Sequence, residues 1–380
     1  MIVKQLRVKN FRNIKNAEFL FSEKTNIIGG SNAQGKTNLM EALTCAVEKS
    51  FRTNRAAELL PESGGDGEVS LKFIVDAHPN KVNSLSCNIT EKGIERKING
   101  ISYKDGIKLY PQLKTIVFIP EDLYIVKGSP DIRRELADDT ADMMNKIHRN
   151  MTGNYLRALK QKNAFITAVS ERQRTRSDYV QIDVWNEEVA KAGVNVMVGR
   201  IKYFLQLSRY AEEFYSKLNN KGESLRMEYQ SSIMEDKPFT LSEVDLMLDT
   251  YLNKMEAYRE REFAAGHTLI GVHRDDIFFY IDGKPARDYA SQGQIRSIAI
   301  ALRLAQARMF AEKWGEAPVI ILDDVLSELD EERRGFILSH IVDSQVFITG
   351  CNRNDFVKIG DAKFWEAEKG EFQENKTNVH

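Results

Sequence analysis

No apolar run in the chain approaches the ~18 residues that a membrane-spanning helix needs, so nothing is expected to cross a bilayer. The start, MIVKQLRVKNF, is charged from Lys4 onward and lacks the build of a signal peptide. Cysteine is scarce. Cys45, Cys87 and Cys351 stand far apart, which excludes zinc-ligand spacing and a disulfide framework and points to a reducing cytoplasm. Net charge is nearly absent, at −1, so any nucleic-acid contact must come from local patches or from assembly. There is no internal repeat and no sustained heptad, which excludes long coiled-coil arms. There is no G-x-G-x-x-G to hold a dinucleotide and no N-K-x-D to read guanine. His148, His267 and His273 show no close spacing, so no metal beyond Mg²⁺ is expected. What remains is 42% hydrophobic and 29% charged, which suits a globular protein, and 380 residues allow two or three domains.

Residues 29–39 read GGSNAQGKTNL between an apolar run, Asn26-Ile27-Ile28, and a helical pattern from Asn38. From Gly30 the spacing is G-x-x-x-x-G-K-[ST]: Gly30, Ser31, Asn32, Ala33, Gln34, Gly35, Lys36, Thr37. Glycines let the backbone wrap an anion with its N–H groups turned inward, and the following helix offers its positive end to phosphate. In such a cradle Lys36 reaches the β- and γ-phosphates and the Thr37 hydroxyl holds Mg²⁺. The stretch says nucleoside triphosphate; it does not distinguish kinase, GTPase, motor or switch.

Residues 319–324 read VIILDD, an apolar strand ending in acids. Asp323 is the expected partner of the Mg²⁺ shell, partly through water, and Asp324 the residue that polarises an attacking water beside the γ-phosphate. Asp323 lies 287 residues after Lys36 (323 − 36), so a large insertion is expected between them. The texture supplies one. The first 120 residues read as strand-rich around the cradle helix, with turn signals at Lys92-Gly93 and Asn99-Gly100. Long helical patterns cover 151–172, 185–217 and 241–263. Strands return at 268–272 and 277–281, with a turn at Asp282-Gly283.

Three further stretches bear on family. Ser291-Gln292-Gly293-Gln294 opens an amphipathic helix and is similar to the ABC signature motif; taken alone it also reads as an ordinary capped helix. Ser327-Glu328-Leu329-Asp330 is similar to an ABC D-loop, and Asn10-Phe11-Arg12-Asn13 to the N-F-R segment of chromosome-maintenance and DNA-repair ABC ATPases. With residues 49–53 (KSFRT), 120–134, 273–276 (HRDD) and 321–334, the chain resembles the RecF family of bacterial recombination mediators nearly end to end.

The resemblance implies an α/β fold: an ABC-type P-loop ATPase head, with a mixed sheet, flanking helices and an antiparallel β subdomain, plus an inserted α-helical lobe and no long coiled coil. The expected boundaries are 1–125 for the first part of the ATPase, 126–265 for the lobe and 266–380 for the second part. It implies ATP and Mg²⁺ as cofactors, Arg12 near a nucleotide phosphate, and Lys36, Asp323 and Asp324 in catalysis. Ser291 and Gly293 would contact the γ-phosphate held by a second copy, in an ATP-dependent homodimer. It further implies weak, DNA-stimulated ATP hydrolysis as an assembly switch. The expected partners are DNA, whether double-stranded, at single-strand/double-strand junctions or single-stranded, and RecR and RecO in loading RecA, with no membrane.

The chain departs from the ABC pattern in places. Asp324 stands where glutamate is usual, which implies slow hydrolysis. The switch histidine is missing, and Thr349 is the candidate to meet the γ-phosphate instead; Gly350 and Cys351 replace a threonine-rich run, and Val272 stands where proline is expected. The Gln-loop equivalent is expected at 118–121. An ABC transporter ATPase or another P-loop NTPase is the alternative, and a scaffold that binds ATP without hydrolysing it stays open. Residues 157–176 hold six Lys/Arg and one acid, Glu171; they read either as a helix that tracks DNA phosphates or as a solvated face.

Overall fold

A computed structural model describes the chain except residues 76–77, 104–112, 220–221, 236–240, 242, 352–361 and 376–380. It divides into two compact units, Met1–Asp122 with Arg303–His380, and Leu123–Leu302.

The first unit holds two six-stranded sheets among its described residues. In one, Thr115–Phe118, Val319–Asp323, Val346–Gly350, Thr25–Gly29 and Ala362–Glu368 run parallel, and Glu371–Asn375 closes the edge antiparallel. Parallel strands are covered on both faces and so read as unbroken apolar runs. Val319, Ile320, Ile321 and Leu322 are accordingly all fully buried. The register sets Asp323 opposite Thr349, and Gly350 opposite Gly29. The ends of three strands thus line up on one edge, the carboxyl edge where open parallel sheets bind ligands.

The other sheet is antiparallel, with Ile2–Phe11 between Ile14–Leu20 and Gly67–Val75. Val3, Leu6, Val8 and Phe11 of that strand are buried. The Gln345 side chain extends the strand's pairing: it accepts from Val3 N at 2.7 Å and donates to Val3 O at 2.8 Å. The Asn99-Gly100 turn is built as its sequence suggests, with φ of 49° and 82°. Arg96 of this sheet donates to the Cys45 carbonyl at 2.9 and 3.1 Å, placing a cation near the carboxyl end of helix Lys36–Val47.

The second unit contains helices Pro130–Met144, His148–Ser170, Arg176–Leu218 and Val244–Ala265, and a small sheet in which Asp276–Ile281 pairs with Leu225–Gln230. Residues 266–302, grouped by sequence with the second part of the ATPase, pack here instead. The reason is local. Strand Asp276–Ile281 is hydrogen-bonded to Leu225–Gln230, and Arg133 clasps the Asp276 carboxylate at 2.6 and 2.9 Å. Helix Arg176–Leu218 is 43 residues long and starts earlier than its apolar pattern, because Thr175 and Asp178 form a reciprocal capping box. It is no free arm: it buries residues from Ile182 to Leu218 within the unit.

Tyr155, Val189, Met197, Met247, Tyr251 and Val272 share its apolar core. Several of the polar groups inside are paired. Arg200 binds Asp138 at 2.7 and 2.8 Å and donates to the Val272 carbonyl at 2.6 Å. His273 Nδ1 and the Tyr155 hydroxyl share a hydrogen bond of 2.6 Å. Gly271 has φ 147°, and a Cβ there would collide with the hydroxyls of Tyr251 and Tyr155. Lys162 and Glu262 form a buried ion pair at 2.7 Å.

These buried titratable groups set two expectations. Lys162→Met leaves Glu262 buried without its counter-ion and is expected to cost about 3–5 kcal/mol; adding Glu262→Gln, which keeps an acceptor for Leu269 N, should recover most of it. Urea unfolding of the single and double variants checks this. Burial, reinforced by Arg274, pulls the His273 pKa from the ordinary 6.5 down to about 4. The unfolded chain therefore binds the proton first. Stability from this group is intact above pH 6.5 and falls as pH drops from 6.5 towards 4. The urea midpoint of the wild-type chain should decline across that window more steeply than that of His273→Gln.

Candidate functional site

The loop after strand Thr25–Gly29 opens directly into helix Lys36–Val47. Gly35 sits at φ 103°, and a Cβ there would lie 2.9 Å from the Asn13 side-chain oxygen, which already accepts from Asn38 Nδ2 at 2.8 Å. Lys36 is 6% exposed; its ammonium donates to the Gly30 carbonyl at 2.5 Å and the Ser31 carbonyl at 2.8 Å. A phosphate oxygen is a stronger acceptor for that ammonium than a neutral carbonyl. The Gln34 carbonyl accepts from Gly370 N at 3.0 Å and its side-chain oxygen from Lys369 N at 2.6 Å. Cys351 Sγ donates to Asn32 Oδ1 at 2.8 Å. The loop is thus held from outside by the turn before Glu371–Asn375 and by the end of Val346–Gly350.

Across the carboxyl edge, Asp323 is 3% exposed, and burial pushes its carboxyl up, against the hydrogen bonds of Thr349 and Thr37. The Thr37 hydroxyl donates to Asp323 Oδ1 at 3.2 Å. A hydroxyl and a carboxylate side by side are hard oxygen donors, and they fit Mg²⁺, which takes few protein ligands and completes its shell with water and phosphate. Among the described residues no group of three or more His, Cys, Asp or Glu is gathered for another metal. Asp324 adopts φ 54°, and its N–H donates to Thr349 Oγ1 at 3.0 Å. Thr349 in turn donates to Asp323 Oδ1 at 2.6 Å. Its one proton is thus given to the Asp323 carboxylate.

Arg12 lies in a turn at φ 48° and chelates Glu41, with Nη2 donating to Oε1 at 2.8 Å and Nε to Oε2. Glu41 is fully buried and also accepts from Ser50 Oγ at 2.5 Å and Arg52 Nη1 at 3.5 Å. Sequence reasoning sends Arg12 to phosphate and overlooks Glu41. The available signal was a lone acid inside the apolar run Leu39-Met40-Glu41-Ala42-Leu43 of the cradle helix.

In the second unit, Ser291 and Gln294 cap helix Gln292–Trp314 reciprocally: Ser291 N donates to Gln294 Oε1 at 2.8 Å, and Gln294 N to Ser291 Oγ at 3.3 Å. Because the Ser291 hydroxyl accepts here, its proton remains available to an anion. Gly293 lies in the first turn of that helix. Three of the six basic residues in 157–176 are taken by acids. Lys162 is buried against Glu262, Arg172 binds Asp178 at 2.6 and 2.8 Å, and Arg174 donates to Glu260 at 3.0 Å. Near 118–121, the turn Pro120–Leu123 carries Asp122, which binds Arg303 at 2.6 and 3.2 Å.

The RecF/RecN/SMC N terminal domain family model matches residues 2–364. The chain is 34% identical over 352 residues to the DNA replication and repair protein RecF of Bacillus subtilis (strain 168), covering 92% of this chain and 93% of that one. It is 35% identical over 376 residues to RecF of Listeria monocytogenes serotype 4b (strain F2365), covering 97% and 99%. The chain belongs to the RecF family. Its fold is that of a solved RecF, described as the recombination mediator protein RecF-ATP in the RecFOR pathway: TM-score 0.89, 26% identity, 98% of this chain and 97% of that chain. An SMC head solved with the C-winged helix domain of ScpA shares the fold more loosely, at TM-score 0.56 and 15% identity over 99% and 97% of the two chains. Among the described residues no helix is long and apolar enough to cross a membrane.

For this RecF-family chain, Gly35→Ala forces a side chain into left-handed backbone against Asn13. Such strain costs about 1–3 kcal/mol. Affinity for a fluorescent ATP analogue is expected to fall about tenfold or more, tenfold being about 1.4 kcal/mol. Titration of the variant checks it, with the circular dichroism spectrum unchanged.

Proposed function

We propose that the chain is an ATP-binding RecF-type mediator of DNA replication and recombinational repair, in which slow ATP hydrolysis acts as an assembly switch. The observation that carries this reading is the convergence of Lys36, Thr37 and Asp323 on the carboxyl edge of one parallel sheet, with the Thr37 hydroxyl 3.2 Å from the Asp323 carboxylate. The full-length relation to proteins named for DNA replication and repair, and to a RecF solved with ATP, supports it.

In this reading the backbone of Gly30, Ser31, Asn32, Ala33, Gln34 and Gly35 wraps the phosphates, and Lys36 exchanges its loop carbonyls for β- and γ-phosphate oxygens. Thr37 and Asp323 hold Mg²⁺, which screens phosphate charge when bound. Asp324 polarises the attacking water. Arg12 acts through Glu41, steadying the cradle helix, or swings to phosphate once nucleotide is present. Ser291 and Gly293 of a second copy cap the γ-phosphate, so that ATP completes a homodimer and hydrolysis releases it, a switch that works by differential affinity for the two states. The dimer binds double-stranded DNA near single-strand gaps and, with RecR and RecO, promotes RecA loading in the cytoplasm.

Ser291→Arg tests the dimer. The variant should bind ATP, because Lys36 and Thr37 are intact, yet fail to dimerise or hydrolyse and lose ATP-dependent DNA binding. Mixing it with Lys36→Arg should restore turnover through one composite site. Sedimentation with a non-hydrolysable ATP analogue, with and without duplex DNA, reads assembly, and phosphate release reads the site. An ATP-driven Ser291→Arg dimer with normal turnover would reduce Ser291 to a helix cap and overturn the reading.

A further inference from the structure

Thr349 holds both acids at the end of Val319–Asp323 with one hydroxyl. Its Oγ1 donates to Asp323 Oδ1 at 2.6 Å and accepts the Asp324 N–H at 3.0 Å. The residue is 2% exposed and lies directly opposite Asp323 in the parallel ladder. A hydroxyl has one proton to give, so the directions of both bonds are fixed by the atoms involved: the carboxylate only accepts and the amide only donates. Asp324 occupies left-handed backbone at φ 54°, a conformation that costs a non-glycine residue free energy unless its surroundings hold it. The bond from its own N–H to Thr349 is such a hold. Asp323 Oδ1 receives a second hydroxyl from Thr37, which fixes the plane of the carboxylate from the cradle side as well.

We infer that Thr349 is a positioning residue for ATP turnover: its single buried hydroxyl sets the metal-side acid, Asp323, and the water-side acid, Asp324, in one relative placement. The inference rests on the ATPase reading above and assigns Thr349 no contact with nucleotide. Strand Val346–Gly350 thereby helps the chemistry through a side chain that never meets the substrate. The neighbouring Cys351 cannot substitute, because its thiol already donates to Asn32 of the loop.

Thr349→Val keeps the branched shape and removes both hydrogen bonds; Thr349→Ser keeps them. In Thr349→Val the Mg²⁺ concentration at half-maximal binding of a fluorescent ATP analogue should rise about tenfold, and kcat should fall about tenfold to a hundredfold with KM within about threefold. Thr349→Ser should return both quantities to within about threefold of wild type. If Thr349→Val does not fold, Thr349→Cys, a weak S–H donor, replaces it and should fall between wild type and the loss expected for Val. Wild-type Mg²⁺ dependence and kcat in the hydroxyl-free variant, or a Thr349→Ser protein as impaired as it, overturn the inference. Lys36→Ala runs alongside. If it still binds the analogue, the nucleotide reading itself falls; if it does not, normal behaviour of Thr349→Val sinks only the role of Thr349.

Discussion

Strand Val346–Gly350 lies between Thr25–Gly29 and Val319–Asp323, and its register sets Gly350 opposite Gly29 and Thr349 opposite Asp323. Everything at the carboxyl edge depends on this alignment. The cradle leaves one strand, the acids leave another, and the strand between them fixes their offset. Side chains alternate between the faces of a strand, so a slip of one residue would turn Asp323 away from Thr37. The fully apolar run Val319–Leu322 gives the sheet two buried faces, and burial on both sides makes such a slip costly.

Glu41 performs a comparable task on the other side of the cradle. It is a fully buried carboxylate on the helix that begins at Lys36, and it gathers Arg12 from the first turn, Ser50 from after the helix and Arg52 beyond it. A buried charge is tolerable only when its lone pairs are taken up, and removing one partner leaves a penalty larger than the pair is worth. The segments KNFRN and KSFRT therefore have a shared physical role: they surround one carboxylate. Residues of the second unit follow the same rule, with Asp275 accepting from the Tyr229 hydroxyl at 2.6 Å and from Ser232 N at 2.8 Å.

Features governed by local rules were legible in the sequence. The cradle needs glycines and a helix start, the Asn99-Gly100 turn needs left-handed backbone, and a strand inside a parallel sheet needs an unbroken apolar run; each leaves its mark within ten residues. Features governed by distant partners were not. Nothing in residues 266–302 announces that Arg133 will hold Asp276 or that Leu225–Gln230 will pair with the strand that follows. Lys162, Arg172 and Arg174 look free in one dimension, because Glu262, Asp178 and Glu260 are brought to them only on folding. Arg12 was legible as a special arginine, but not its partner. Thr349 was legible as a candidate, but its hydrogen bonds to Asp323 and Asp324 were not.

The central strand has a consequence for how the chain is made. Thr25–Gly29 is synthesised long before both of its neighbours, Val346–Gly350 and Ala362–Glu368. Gln345, which completes the pairing of Val3, arrives just as late. Thr25–Gly29 must therefore wait, unpaired, while the helices of the second unit are synthesised. Non-local pairing of this kind is slow and leaves sticky edges exposed in the interval. The loop that cradles phosphate is written long before the strands that complete its sheet, so a nascent chain acquires its nucleotide site only after Val346–Gly350 has emerged.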